Sequence, residues 1–108
     1  MTLDELNAKA MEMIVTSGQA RAALNKALDA LLDDDYKLCD ELMEEAKKNI
    51  TASHTAQTKV LQGTAMDEEF KPNILFTQAQ DNLMTVMSEI NVGKQLIRLY
   101  KKINNNVK

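Results

Sequence analysis

The chain has 108 residues, which is enough for one domain with its own hydrophobic core. Its 13 Lys and Arg residues against 16 Asp and Glu residues give a net charge of -3, which excludes a strongly basic nucleic-acid binder. One cysteine and one histidine exclude an internal disulfide and a His-rich zinc site. Few glycines, one proline and the lack of a long apolar run predict a helical, cytoplasmic protein that does not insert into a membrane.

The first predicted helix begins at a capping box, with Thr2 as the N-cap and Glu5 reaching back to it. Apolar residues then recur at helical spacing until three consecutive aspartates end the pattern, and Asp35 is a good N-cap for the next helix. Ser17 and Gly18 lie inside the pattern. Because glycine costs roughly 1 kcal/mol against alanine in a helix interior, we expect the first helix to be kinked or briefly interrupted there.

The second helix is predicted from about Tyr36 to about Gln62, and Gly63 is expected to close it. A polar loop leads to Pro72, and the third helix is predicted from about Asn73 to about Ile103. The pattern therefore indicates an all-α, antiparallel three-helix bundle formed by residues 1–103 as a single domain. Residues 104–108 are expected to fray as a C-terminal tail.

The third helix carries two apolar seams, although a three-helix bundle needs only one broad stripe per helix. The first seam comprises Phe76, Ala79, Leu83, Val86, Ile90, Ile97 and Tyr100. The second comprises Leu75, Val92, Leu96, Leu99 and Ile103, with Gln78, Asn82, Thr85 and Glu89 filling its middle. A second contact surface, most simply for another copy of the chain, explains the extra width. A single wide stripe is the alternative.

Polar residues at inward positions mark the candidate functional site. His54, Gln57 and Thr58 share one face of the second helix. On the third helix the same spacing groups four residues, namely Gln78, Asp81, Asn82 and Thr85. Because both groups lie near the middles of adjacent antiparallel helices, we expect them to approach each other.

Four short segments carry a family resemblance. They read SGQAR at 17–21, HTAQT at 54–58, AQDNLMT at 79–85 and LYK at 99–101. In order and spacing they resemble the lactose/cellobiose-specific IIA proteins of the bacterial sugar phosphotransferase system. The resemblance implies a three-helix protomer that assembles as a homotrimer. It also implies a phosphocarrier of sugar uptake that takes phosphate from HPr and passes it to the IIB component.

The chain departs from the family at the phosphate acceptor. The family motif reads HAQDHLMT and its first histidine carries the phosphate, whereas this chain reads QAQDNLMT, with Gln78 and Asn82 at the two histidine positions. A neutral imidazole has a free lone pair that can attack phosphorus. The lone pair of an amide nitrogen is delocalised into the carbonyl, so Gln78 keeps the shape of the site without its nucleophile.

Several interpretations of this departure stay open. The histidine of an active carrier has been replaced by design, or the chain is a diverged, phosphorylation-incompetent module that binds regulatory or transport partners. In a third interpretation His54, with Gln57 from the same motif, has taken over as acceptor. A structural helical adaptor, for which the resemblance would be accidental, is the remaining alternative.

The resemblance also places Asp81 at the three-fold axis of the trimer. Three carboxylates brought together repel one another, and Mg²⁺ or a similar divalent ion would relieve that repulsion. A solvated helix carboxylate is the alternative for Asp81. Arg21 is expected to pair with a phosphate or with an acid on the second helix, and Cys39 to be a small buried hydrophobe.

Overall fold

A computed structural model describes residues 1–67 and 73–107, and it forms three helices with no strand in those ranges. They are α1 (Leu3–Leu32), α2 (Tyr36–Thr64) and α3 (Ile74–Val107). Contacts between α1 and α3 join early residues to early residues and late ones to late ones, so these two helices are parallel and α2 runs antiparallel to both. The predicted three-helix bundle is confirmed. Residues 68–72, including Pro72 and the second half of the predicted loop, lie outside the described residues.

Side chains cap the first two helices as the sequence predicts. The hydroxyl of Thr2 accepts a hydrogen bond of 3.1 Å from the backbone N–H of Glu5 and donates one of 3.1 Å to its carboxylate. The carboxylate of Asp35 accepts a hydrogen bond of 3.1 Å from the backbone N–H of Leu38. These caps satisfy backbone donors that have no partner within the helix.

α1 is continuous through Ser17 and Gly18, so the helix is not interrupted there, while a kink at these residues stays a prediction. Ser17 is buried, and its hydroxyl donates a hydrogen bond of 3.2 Å to the carbonyl of Ile14. α1 packs along its length against both other helices, which contact each other little. Such packing outweighs the roughly 1 kcal/mol that a helical glycine costs.

The core is a row of three apolar clusters along a bundle 61 Å long. The predicted first seam of α3 supplies its side of the core, with Leu83 fully buried near the middle. At Gly93 an added Cβ atom would lie 2.6 Å from Cδ1 of Leu24. The missing side chain therefore allows α3 to approach α1 closely at this point.

The C-terminal part of α3 is anchored on the turn between α1 and α2. Asp34, which has a φ of 60°, accepts a hydrogen bond of 2.7 Å from the hydroxyl of Tyr100 and one of 3.1 Å from the amide of Asn104. The same amide donates a hydrogen bond of 3.0 Å to the hydroxyl of Tyr36. α3 therefore continues past its predicted end at about Ile103, and these bonds hold Asn104 in the helical turn that ends at Val107, while fraying of the tail stays a prediction.

Within the described ranges, none of the three helices combines the length and the apolar character needed to cross a membrane.

Candidate functional site

One face of α3 is exposed and apolar towards its C-terminal end. Val92, Leu96, Leu99 and Ile103 are each about half exposed, at 56%, 49%, 55% and 53%. Leu75, which the sequence placed in the same seam, is instead half-buried against the core. We term the surface formed by Val92, Leu96, Leu99 and Ile103 the apolar face.

The apolar face forms one wall of a groove between α1 and α3. The deeper part of the groove encloses ≈ 370 Å³ and is lined by Leu28, Leu31, Leu32, Leu96, Leu99, Tyr100 and Ile103. A second hollow of ≈ 320 Å³ shares Leu28 and Leu96 with it and extends it to Ser88 and Glu89. The groove is therefore continuous and changes from apolar to polar at Glu89.

The four polar residues predicted on α3 lie on the same side of the helix, before the apolar face. This polar cluster consists of Gln78, Asp81, Asn82 and Thr85, of which Asn82 is half-buried and the others are exposed. None of the four side chains makes a hydrogen bond or ion pair with any described residue. Buried Ala79, Leu83 and Val86 hold the opposite side of the helix against the core. The fold thus presents the cluster outward with its polar atoms unpaired.

The positions of the polar residues predicted on α2 are set by a contact between α2 and α1. Ser53 is buried and its hydroxyl donates a hydrogen bond of 3.0 Å to the carbonyl of Met13, which fixes the rotation of α2 on α1. With α2 held this way, His54 is exposed and Gln57 is half-buried. No hydrogen bond joins either residue to the polar cluster in the part of the chain that the structure describes. The expected approach of the two groups stays a prediction.

Arg21 pairs with an acid on α3, so the predicted partner on α2 is wrong. The guanidinium of Arg21 donates from Nε to both carboxylate oxygens of Glu89, at 3.1 and 3.0 Å, and its Nη2 lies 2.9 Å from Oε1. Both side chains are partly exposed, at 44% and 38%. Helical periodicity places Arg21 on the same stripe of α1 as Leu24 and Leu28. The sequence does not show how far α1 is shifted along α3, and this shift decides that Arg21 meets Glu89.

The chemistry available within a single chain is limited. Glutamine and asparagine offer hydrogen-bond donors and acceptors but no nucleophile. Among the described residues, no three His, Cys, Asp or Glu side chains come together as a metal site, so Asp81 supplies one carboxylate ligand at most. Cys39 is buried as predicted, and burial raises the pKa of its thiol, which keeps it from acting as a thiolate.

Known proteins of one family match the chain in sequence. The family model described as "PTS system, Lactose/Cellobiose specific IIA subunit" matches residues 8–101. The lactose-specific EIIA component of Staphylococcus epidermidis is 36% identical over 102 residues, covering 94% of this chain and 98% of that protein. The N,N'-diacetylchitobiose-specific EIIA component of Escherichia coli is 31% identical over 100 residues, covering 93% of this chain and 86% of that protein.

Solved structures agree with the sequence matches. PtcA from S. mutans superimposes with a TM-score of 0.87 at 38% identity, covering 94% of this chain and 99% of that one. The cellobiose-specific enzyme IIA from Bacillus anthracis superimposes with a TM-score of 0.86 at 30% identity, covering 97% of this chain and 94% of that one. The three-helix fold, the family model and these relatives together place the chain in the lactose/cellobiose-specific IIA family of the sugar phosphotransferase system.

Proposed function

We propose that this chain acts in sugar uptake as a cytoplasmic IIA component that docks on HPr and IIB but carries no phosphate at position 78. Family membership supports the two partners, since proteins of the family pass phosphate between them. The observation that carries the proposal is the outward-facing polar cluster, in which amides stand at Gln78 and Asn82. Amides preserve hydrogen-bonding surface for a partner without providing a nucleophile.

We further propose that three copies assemble through the apolar face of α3. Support comes from four half-exposed large apolar side chains in one line, which is more than a monomeric surface needs to expose. The groove beside them is lined by leucines, Ile103 and one tyrosine. Burying this surface between identical copies would remove apolar area from water in all three protomers.

In such a trimer Asp81 would hold a divalent cation, and Mg²⁺ fits its chemistry. Asp81 is exposed and has no hydrogen-bond or ion-pair partner among the described residues, so its carboxylate oxygens are free to bind a metal. One chain supplies only this single carboxylate, so the site would require three copies around a common axis. Carboxylate oxygens are the ligands that hard cations such as Mg²⁺ prefer, and the bound ion would offset the repulsion between the three carboxylates.

Phosphorylation by phosphoenolpyruvate, enzyme I and HPr tests the function. Incubation of the wild-type chain with radiolabelled phosphoenolpyruvate should leave it unlabelled, whereas Gln78→His should accept label because it restores an imidazole on an exposed helix position. Binding to HPr is measured in parallel by chemical-shift changes in isotope-labelled HPr. If HPr shows no change on addition of the wild-type chain, the docking half of the proposal is wrong.

His54 supports a second candidate function, that of a phosphocarrier with a relocated acceptor. Its imidazole is exposed and has no side-chain partner in the described ranges. A ring nitrogen of His54 would attack the phosphorus of phosphorylated HPr, forming a P–N bond as the bond from phosphorus to HPr breaks. In the same assay this candidate requires acid-labile label on the wild-type chain and its loss in His54→Ala. Label that persists in His54→Ala would contradict both candidates.

A further inference from the structure

The ion pair between Arg21 and Glu89 occupies the boundary between the polar cluster and the apolar face. Glu89 lies one helical turn after Thr85 and one turn before Val92, and it lines the groove between α1 and α3. The contact is bidentate and joins two helices. Bidentate guanidinium–carboxylate pairs fix geometry as well as charge, so the position of this pair at the edge of the apolar face is well defined.

The charge on this side of α3 depends on Arg21. Asp81 and Glu89 are the carboxylates near the apolar face, and Asp81 has no cationic partner among the described residues. Arg21 offsets the charge of Glu89, so of these two acids only Asp81 keeps an unpaired charge among the described residues. Without Arg21, three associated copies would bring three further carboxylates together beside an apolar contact, where unpaired charge is costly.

We infer that Arg21 controls self-association of the chain by neutralising Glu89 at the edge of the surface through which copies meet. The inference rests on the proposed trimer and adds a residue of α1 to an interface otherwise built from α3. The occupant of the surface is a second copy of this chain, because Arg21 neutralises Glu89 at its edge and the four side chains of the apolar face, Val92, Leu96, Leu99 and Ile103, can bury one another across copies.

Sedimentation equilibrium of four variants tests the inference, with the chain concentration at half-assembly as the readout. Arg21→Gln is expected to raise that concentration by about tenfold at low salt, because three carboxylates lose their partners. Arg21→Gln/Glu89→Gln, which removes both charges, should return to within about threefold of the wild type. Arg21→Lys keeps the positive charge and should retain most of the assembly. The effect of Arg21→Gln should shrink at high salt because the repulsion is screened.

Lys101→Gln is the matched control, because it breaks another ion pair between helices, at 3.1 Å to Asp40, away from this boundary. Circular dichroism and urea unfolding verify that each variant is folded. Equal half-assembly concentrations for Arg21→Gln and Lys101→Gln would overturn the inference, and so would failure of the double variant to recover. A wild-type chain that stays monomeric at every concentration would instead refute the proposed trimer itself, which the wild-type measurement alone reveals.

Discussion

Replacing Leu96 with glutamate is expected to dissociate the proposed trimer while leaving the protomer folded. Leu96 lies in the middle of the apolar face and is 49% exposed in the single chain. Half of its side chain already packs within the protomer, and the other half is available to a neighbouring copy. A carboxylate at this position remains in contact with water in the monomer but would be desolvated in the assembly.

The expected loss of association free energy follows from the exposed half of the Leu96 side chain. Complete burial of a leucine contributes about 1.5–3 kcal/mol, so half of it is worth about 1 kcal/mol per copy and about 3 kcal/mol per trimer. A loss of about 3 kcal/mol weakens the trimer association constant by about 150-fold. Because the half-assembly concentration of a trimer varies as the inverse square root of its association constant, that concentration should rise at least about twelvefold. Desolvation of three carboxylates adds to this value.

Analytical ultracentrifugation over a concentration series measures the shift. Val15→Glu is the matched control, since Val15 is 52% exposed on α1 and does not line the groove. Circular dichroism confirms that both variants keep their helices. If Leu96→Glu assembles at the same concentration as the wild type, or if Val15→Glu weakens assembly equally, the apolar face is not the contact surface.

Leu83→Ala should lower the free energy of unfolding by about 2–5 kcal/mol because Leu83 is fully buried, whereas Met84→Ala, at a position 59% exposed, should change it by about 0.5 kcal/mol or less. Equal urea midpoints for the two variants would contradict the assigned rotation of α3. The hydrogen bond to Asp34 raises the pKa of Tyr100, so that bond stabilises the fold fully below the ordinary tyrosine pKa of about 10 and its contribution is lost as the pH rises through the folded value. Asp34→Asn should therefore lower the pH at the midpoint of the rise in tyrosinate absorbance. An unchanged midpoint would show that this hydrogen bond does not raise the pKa of Tyr100. Burial raises the pKa of the Cys39 thiol, so a thiol reagent should react with the native chain far more slowly than with the urea-unfolded chain, and equal rates would refute its burial.

Most of the fold could be predicted from the sequence because its signals are local. The helix boundaries were predicted to within a few residues at most ends, from the caps at Thr2 and Asp35 and from the spacing of apolar residues. The expected interruption at Gly18 is absent, because packing along the whole of α1 outweighs the local cost of a glycine. The predicted end of the third helix at about Ile103 is also too early, because Asn104 bonds to Asp34 and Tyr36, which are 70 and 68 positions away.

The helix face on which each candidate residue lies was predictable, but the arrangement of those faces was not. Helical spacing was enough to place the polar cluster on one side of α3 and to pick out His54 and Gln57 on α2. Their relative placement depends on how α1 packs against both helices while α2 and α3 contact each other little, which is a property of the assembled bundle.

The sequence by itself determined which residues form helices, which stripe of each helix is buried and which residue types occupy the family's motif positions. These properties depend on backbone hydrogen bonds and side-chain periodicity within a few turns, so neighbouring residues suffice to set them. Only the tertiary structure decided that Arg21 meets Glu89 and that α3 lies close to α1 at Gly93. Such contacts depend on the axial register and rotation of whole helices, which are set by the sum of many packing contacts and not by any one segment.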